Sequence, residues 1–128
     1  MHNTTTTLIE WYRNGLSFNA ILKCWGAWQR QGGDYLGYKS FYKDSKRETI
    51  WLKDNELLLV DRALGQLKAE NKNLFEVLYR KFALKQTYKQ IEKELNICFA
   101  TVKQYEISGI DDVREILWQL LEETNSRV

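Results

Sequence analysis

The chain has 128 residues, enough for one domain with a real core, and its 44% hydrophobic and 28% charged content is that of an ordinary globular protein. Nineteen basic residues against seventeen acidic ones leave a net charge of +2, and the only histidine is His2, so general-base and zinc chemistry lack their usual residues. There is no proline to break a helix from inside, no apolar run near 18 residues, and no leader peptide, which together predict a helical, cytoplasmic protein without a membrane segment.

In chain order, residues 1–7 are a polar lead, and Leu8 to Arg13 has the makings of a short helix, interrupted by Gly15. Ser17 then caps a better helix from Phe18 to about Gln31, ended by Gly32-Gly33. Its stripe is Phe18, Ile21, Leu22 and Trp25, extended by Trp28, with Trp11 available to pack nearby. That stripe serves either the core or an aromatic protein-contact surface. Residues 32–50 read as irregular. Tyr35, Tyr38, Phe41 and Tyr42 interleave with Lys39, Lys43, Lys46 and Arg47, a mixture that suits nucleic acid, a protein groove, or a loop pinned by tyrosines.

A long helix is predicted from Ile50 to about Lys68, with the seam Leu57, Val60, Ala63, Leu64 and Leu67, broadened by Leu58 and Leu59. Asn71 or Asn73 caps the next, Leu74 to Leu84, whose seam is Leu74, Val77, Leu78 and Phe82. The stretch Thr87 to Ile107 then has the spacing of a helix-turn-helix. Thr87 and Gln90 form a capping box; Tyr88, Ile91 and Leu95 share a face. Asn96 supplies a left-handed turn, Ile97 tucks under, and Cys98 occupies an N-cap position. Val102 and Tyr105 point inward, which leaves Phe99, Ala100, Lys103 and Gln104 outward with Thr101 at the edge. Glu92 sits where the two helices cross and a smaller residue is usual, so it must tilt out or widen the crossing. A final helix is predicted to start at Asp111 and run to about Glu123, with the stripe Val113, Ile116, Leu117, Leu120 and Leu121 closing the core or pairing subunits.

Charge is uneven along the chain. Residues 71–109 hold seven basic and four acidic groups; residues 110–128 hold two and five. The basic excess therefore covers the helix-turn-helix, as a phosphate-binding surface needs, but it is small enough to call for a second subunit or a partner. Lys85, Lys89 and Lys93 are the phosphate candidates. Gln104 is the candidate for a bidentate contact to adenine, and Lys103 reaches a base or a phosphate. The acidic trio Asp111, Asp112 and Glu115 reads more simply as first-turn charge on a helix dipole than as a magnesium site. Cys24 and Cys98 read as inert packing thiols, and no metal or cofactor is expected.

Three blocks carry a family likeness: Cys24-Trp25-Gly26-Ala27-Trp28 followed by Gly32-Gly33 and Leu36-Gly37-Tyr38; Val60 to Leu67; and the helix-turn-helix, which also looks like region 4 of sigma factors. In these the chain resembles the Q antitermination proteins of lambdoid phages, in the branch without a zinc-binding insert. The resemblance implies a non-enzymatic phage or prophage transcription antiterminator. Such a protein binds double-stranded DNA near a late promoter and engages bacterial RNA polymerase, with or without its sigma factor, so that transcription passes terminators. Carried over by position, the reading helix is Cys98 to Ile107, with Phe99, Ala100, Thr101, Lys103 and Gln104 facing DNA. Two departures stand out. Phe99 has no hydrogen-bonding tip, so it suits a thymine methyl or another subunit and not guanine. Lys39 and Phe41 occupy what would be a Ser- or Pro-containing loop.

The expectation is an all-α single domain spanning 1–128. It has N-terminal helices and an aromatic, basic loop over 1–50, the helix-turn-helix core over 51–109, and a C-terminal amphipathic helix over 110–128. The alternatives are a repressor or activator, or a module that grips polymerase or sigma factor without DNA; a homodimer fits any of them.

Overall fold

The computed structural model describes residues 18–30, 40–43, 49–52 and 54–126. The expected helix over Leu8 to Arg13, Trp11, the cap at Ser17, the Gly32-Gly33 stop and Tyr35 and Tyr38 lie outside them.

The architecture is all-α in its bulk. Helix α1 is Phe18–Arg30, α2 is Asp54–Glu70, α3 is Lys72–Leu78, α4 is Tyr88–Leu95 and α5 is Phe99–Ser126. A π-helical turn, Tyr79–Ala83, continues α3. Between α1 and α2 lies a two-stranded antiparallel ribbon, β1 (Ser40–Lys43) and β2 (Thr49–Leu52), in the register Ser40↔Leu52 to Lys43↔Thr49. Irregular chain was expected over this stretch. The helix predicted from Ile50 begins instead at Asp54, because Thr49-Ile50-Trp51-Leu52 is rich in β-branched and aromatic residues that favour a strand. Leu52 is fully buried and ties the ribbon to the core.

One core unites α1, α2, α3 and the C-terminal two thirds of α5. Every seam residue expected on α2 (Leu57, Val60, Ala63, Leu64, Leu67) and on the last helix (Val113, Ile116, Leu117, Leu120, Leu121) is buried in it. Trp25 and Trp28 are buried too, which decides the α1 stripe in favour of packing. Leu58 does not broaden the α2 seam; it faces outward at 55% exposure. The terminal stripe closes the core of its own chain.

Two glycines set how closely the helices approach. A Cβ on Gly26 would stand 1.9 Å from the Phe82 carbonyl oxygen, so α1 lies directly on the π turn. Arg30 completes the contact: its Nη1 donates to the carbonyls of Phe82 and Ala83, at 3.0 and 3.1 Å. These are carbonyls near a helix end, which need partners from outside the helix. Gly109 is buried, and a Cβ there would meet Leu78 Cδ1 at 3.1 Å.

The course of the chain past that second glycine corrects the sequence reading. Asp111 reads as a fresh N-cap, yet α5 runs unbroken for 28 residues. The glycine serves the α3–α5 approach and ends nothing. Asp111, Asp112 and Glu115 consequently sit mid-helix, far from any dipole end, and Asp111 pairs with Arg114 at 3.2 Å. No helix among the described residues is long and apolar enough to cross a membrane.

Candidate nucleic-acid interface

Local signals fix α4 and the turn after it. Asn71 caps α3 by accepting from the Leu74 amide. At the far end of the π turn, Leu84 N donates to Tyr79 O, Gln86 N donates to Arg80 O, and Lys85 adopts φ 57° to end the helix. Thr87 Oγ1 accepts from Gln90 N at 3.2 Å while Gln90 Oε1 accepts from Thr87 N at 2.8 Å, the capping box expected. Asn96 takes φ 57°, ψ 48°, the left-handed conformation that turns the chain. Three residues, Asn96 to Cys98, thus join α4 to α5.

A second, smaller core holds this pair. It consists of Val77, Ile91 and Val102, all fully buried, with Tyr88, Leu95, Ile97 and Tyr105 packed against it. Polar ties reinforce it from both sides. Arg80 on the π turn bridges Glu76 and Glu94. Tyr88 donates its hydroxyl proton to buried Glu106 at 2.9 Å and accepts from Lys103 Nζ at 3.3 Å. Lys103 also lies 3.6 Å from Glu106 and 4.9 Å from the Tyr88 ring centroid.

The predicted reading residues divide on this geometry. Phe99, at 50% exposure, leans edge-on against the Tyr88 ring with centroids 5.5 Å apart. Ala100 and Gln104 are exposed, and Gln104 has no side-chain partner among the described residues. Thr101 is half-buried and its hydroxyl lies 3.2 Å from Cys98 Sγ. Lys103 is not a free reader. The Tyr88 hydroxyl, and then the Glu106 charge, raise its pKa above the ordinary lysine value, and both hold it at the α4–α5 crossing.

Lys85, Lys89 and Lys93 are exposed, and none is in an ion pair among the described residues. Lys89 and Lys93 line an open groove of about 570 Å³ together with Glu92, Asn96, Ile97 and Cys98. Glu92 therefore tilts outward into that groove, one of the two outcomes expected of it. Sequence reasoning missed Lys81, whose ammonium sits 4.5 Å from the Tyr88 centroid, so that two lysines flank one ring. Its signal was an i, i+7 spacing to Tyr88 across a helix break, which no periodicity reveals. With Glu94 engaged by Arg80 and Glu106 by Lys103, Lys81, Lys85, Lys89 and Lys93 face only Glu92 as an unpaired acid on α4.

Cys24 is buried, but Cys98 is exposed at the head of α5 and is not an inert packing residue. The Thr101 hydroxyl lowers its pKa by stabilising the thiolate.

No family model, no curated protein and no solved structure matches the chain.

Proposed function

We propose that α4 and the first two turns of α5 form a helix-turn-helix that binds double-stranded DNA, and that the chain acts on bacterial RNA polymerase as a phage-type transcription antiterminator. The observation that carries the DNA reading is the head of α5. Phe99, Ala100 and Gln104 stand open to solvent there, beside lysines free of counter-charge on α4. A helix end so mounted fits a major groove, with backbone phosphates met by the flanking cations. The polymerase part rests on the likeness of the Trp-Gly-Ala-Trp block and its neighbours to the Q proteins.

In this reading Gln104 contacts adenine, Phe99 and Ala100 meet thymine methyls, and Lys85, Lys89 and Lys93 hold phosphates. Lys103 orients the crossing. Gel shifts at two salt concentrations against the DNA upstream of the chain's own operon test it. Gln104→Ala should erase most of the preference for the matched site, a loss of about 1–3 kcal/mol in discrimination, while Lys89→Ala weakens all sequences and flattens the salt slope by about one. Equal binding of matched and scrambled DNA by the parent chain would remove the reading.

A second reading has its own observation. Phe99 and Ile107 are large, exposed apolar side chains eight residues apart, hence on one face of α5. That face suits a protein contact, with polymerase or sigma factor gripped without DNA. Transcription through a terminator, with and without the upstream element, separates the two. Element-dependent lengthening supports the DNA reading, element-independent lengthening the protein module, and reduced initiation a repressor.

A further inference from the structure

Beside the main core, α1, α2, α3 and the π turn enclose a groove of about 470 Å³ that shares no lining residue with the DNA-facing surface. Its apolar lining is Trp25, Leu64, Phe75, Tyr79 and Leu84. Phe75 and Tyr79 are stacked, centroids 5.7 Å apart and planes 22° from parallel, which presents a flat π surface. Lys68 already places its ammonium 5.4 Å from the Phe75 centroid, so this surface carries a cation within the chain itself.

Asp61 supplies the polar group. Its Oδ1 accepts from Trp25 Nε1 at 3.0 Å and from Gln29 Nε2 at 2.8 Å. Those two donors hold the half-buried carboxylate in a single orientation. Its Oδ2 has no partner among the described residues. Arg80, also in the lining, is engaged by Glu76 and Glu94; Lys68, the other lining cation, rests on the Phe75 ring, and the Oδ2 of Asp61 stays open.

Gly65 is the third observation. It lies inside α2, where glycine costs about 1 kcal/mol relative to alanine. Gly26 and Gly109 are forced by their neighbours, but a Cβ on Gly65 would meet nothing within 4 Å. Internal packing does not require it, and it leaves the α2 backbone bare toward the groove.

We propose that this groove receives an arginine side chain from a partner protein. The guanidinium plane lies against the Phe75–Tyr79 pair, one edge donates to Asp61 Oδ2, and the aliphatic stem passes over Gly65. Guanidinium is the cation that combines a stacking face with a fork of donors; an ammonium offers only a point charge. The proposal stands apart from the DNA reading.

The test is titration of the intact chain with N-acetyl-arginine N-methylamide, followed by the indole N–H resonance of Trp25, which reports directly on Asp61. The neutral isostere N-acetyl-citrulline N-methylamide and adenosine monophosphate serve as comparison probes. The expected result is a saturable shift with the arginine probe, about tenfold weaker with citrulline because the charge-assisted bond is gone. Asp61→Asn keeps an acceptor for Trp25 and Gln29 but turns a donor amide to the groove, and should abolish the shift. Gly65→Gln fills the groove from a position with free space; it should raise the melting temperature and weaken the probe at least about fivefold, since the fold gains helix propensity as the site is lost. Equal response to arginine and citrulline overturns the proposal, as does unchanged binding by Gly65→Gln, or a response to the nucleotide alone.

Discussion

The two cores of this molecule are built on different terms. The large one buries long aliphatic and indole side chains from four helices, and Gly26 and Gly109 set how closely its backbones approach. The small one has three fully buried residues, Val77, Ile91 and Val102, and relies on Arg80 with two carboxylates and on the Lys103–Tyr88–Glu106 chain to hold α4 against α5. A few apolar contacts leave α4 with a smaller share of the burial free energy, so it is the element expected to open first. The lesson is that the candidate reading surface is borne by the smaller of the two cores and is aligned by polar geometry.

The largest effect expected is from Gly26→Ala. The methyl would collide with the Phe82 carbonyl, and since neither partner is a flexible side chain, α1 must lift from the π turn. Overpacking of this kind should cost about 3 kcal/mol or more, outweighing the helix-propensity gain, and urea denaturation should show it as global loss. Ile91→Ala breaks the other side of the comparison. It should cost about 2–4 kcal/mol through transfer and cavity terms. Hydrogen exchange should accelerate across α4 while α1 and α2 amides keep their protection; uniform acceleration would mean that the two cores are one cooperative unit.

Thr87→Ala should cost about 1 kcal/mol by removing one half of the capping box, again with exchange confined to α4. The smallest effect is a pH dependence. The folded-state pKa of Lys103 lies above its unfolded value, so its contribution is complete below the ordinary lysine pKa and is lost as pH rises through the folded value. Loosening of the α4–α5 crossing at strongly alkaline pH, absent from Lys103→Met, can be followed by the side-chain resonances of Tyr88.

What was legible in the sequence was short-range. The Thr87–Gln90 box, the turn at Asn96 and the apolar seams on α2 and α5 depend on residues within a turn or two of one another, and each stands where the residues placed it. The outward position of Phe99, Ala100 and Gln104 follows from the same periodicity. What failed was any feature decided by a distant partner. Asp111 reads as an N-cap, whereas the helix runs on past Gly109, whose close neighbour Leu78 is 31 residues away. The π turn lies against α1, and the ribbon pairs a stretch read as irregular with one read mostly as the start of a helix. Lys103 reads as free in the sequence because Tyr88, which accepts from it and donates to its neighbour Glu106, reaches both only across the crossing. Asp61 on α2 meets the Phe75–Tyr79 pair of α3 and its π turn only in the folded chain, and no motif announced the three together.

The unbroken course of α5 has a mechanical consequence. At 1.5 Å per residue its 28 residues make a rod about 42 Å long, its head packed on α4 through Val102 and its tail seated in the main core. With no joint at Gly109, the head cannot swivel separately from the body. Whatever docks at the tip is therefore held at a set distance and bearing from whatever seizes the tail, and the helix serves the molecule as a ruler.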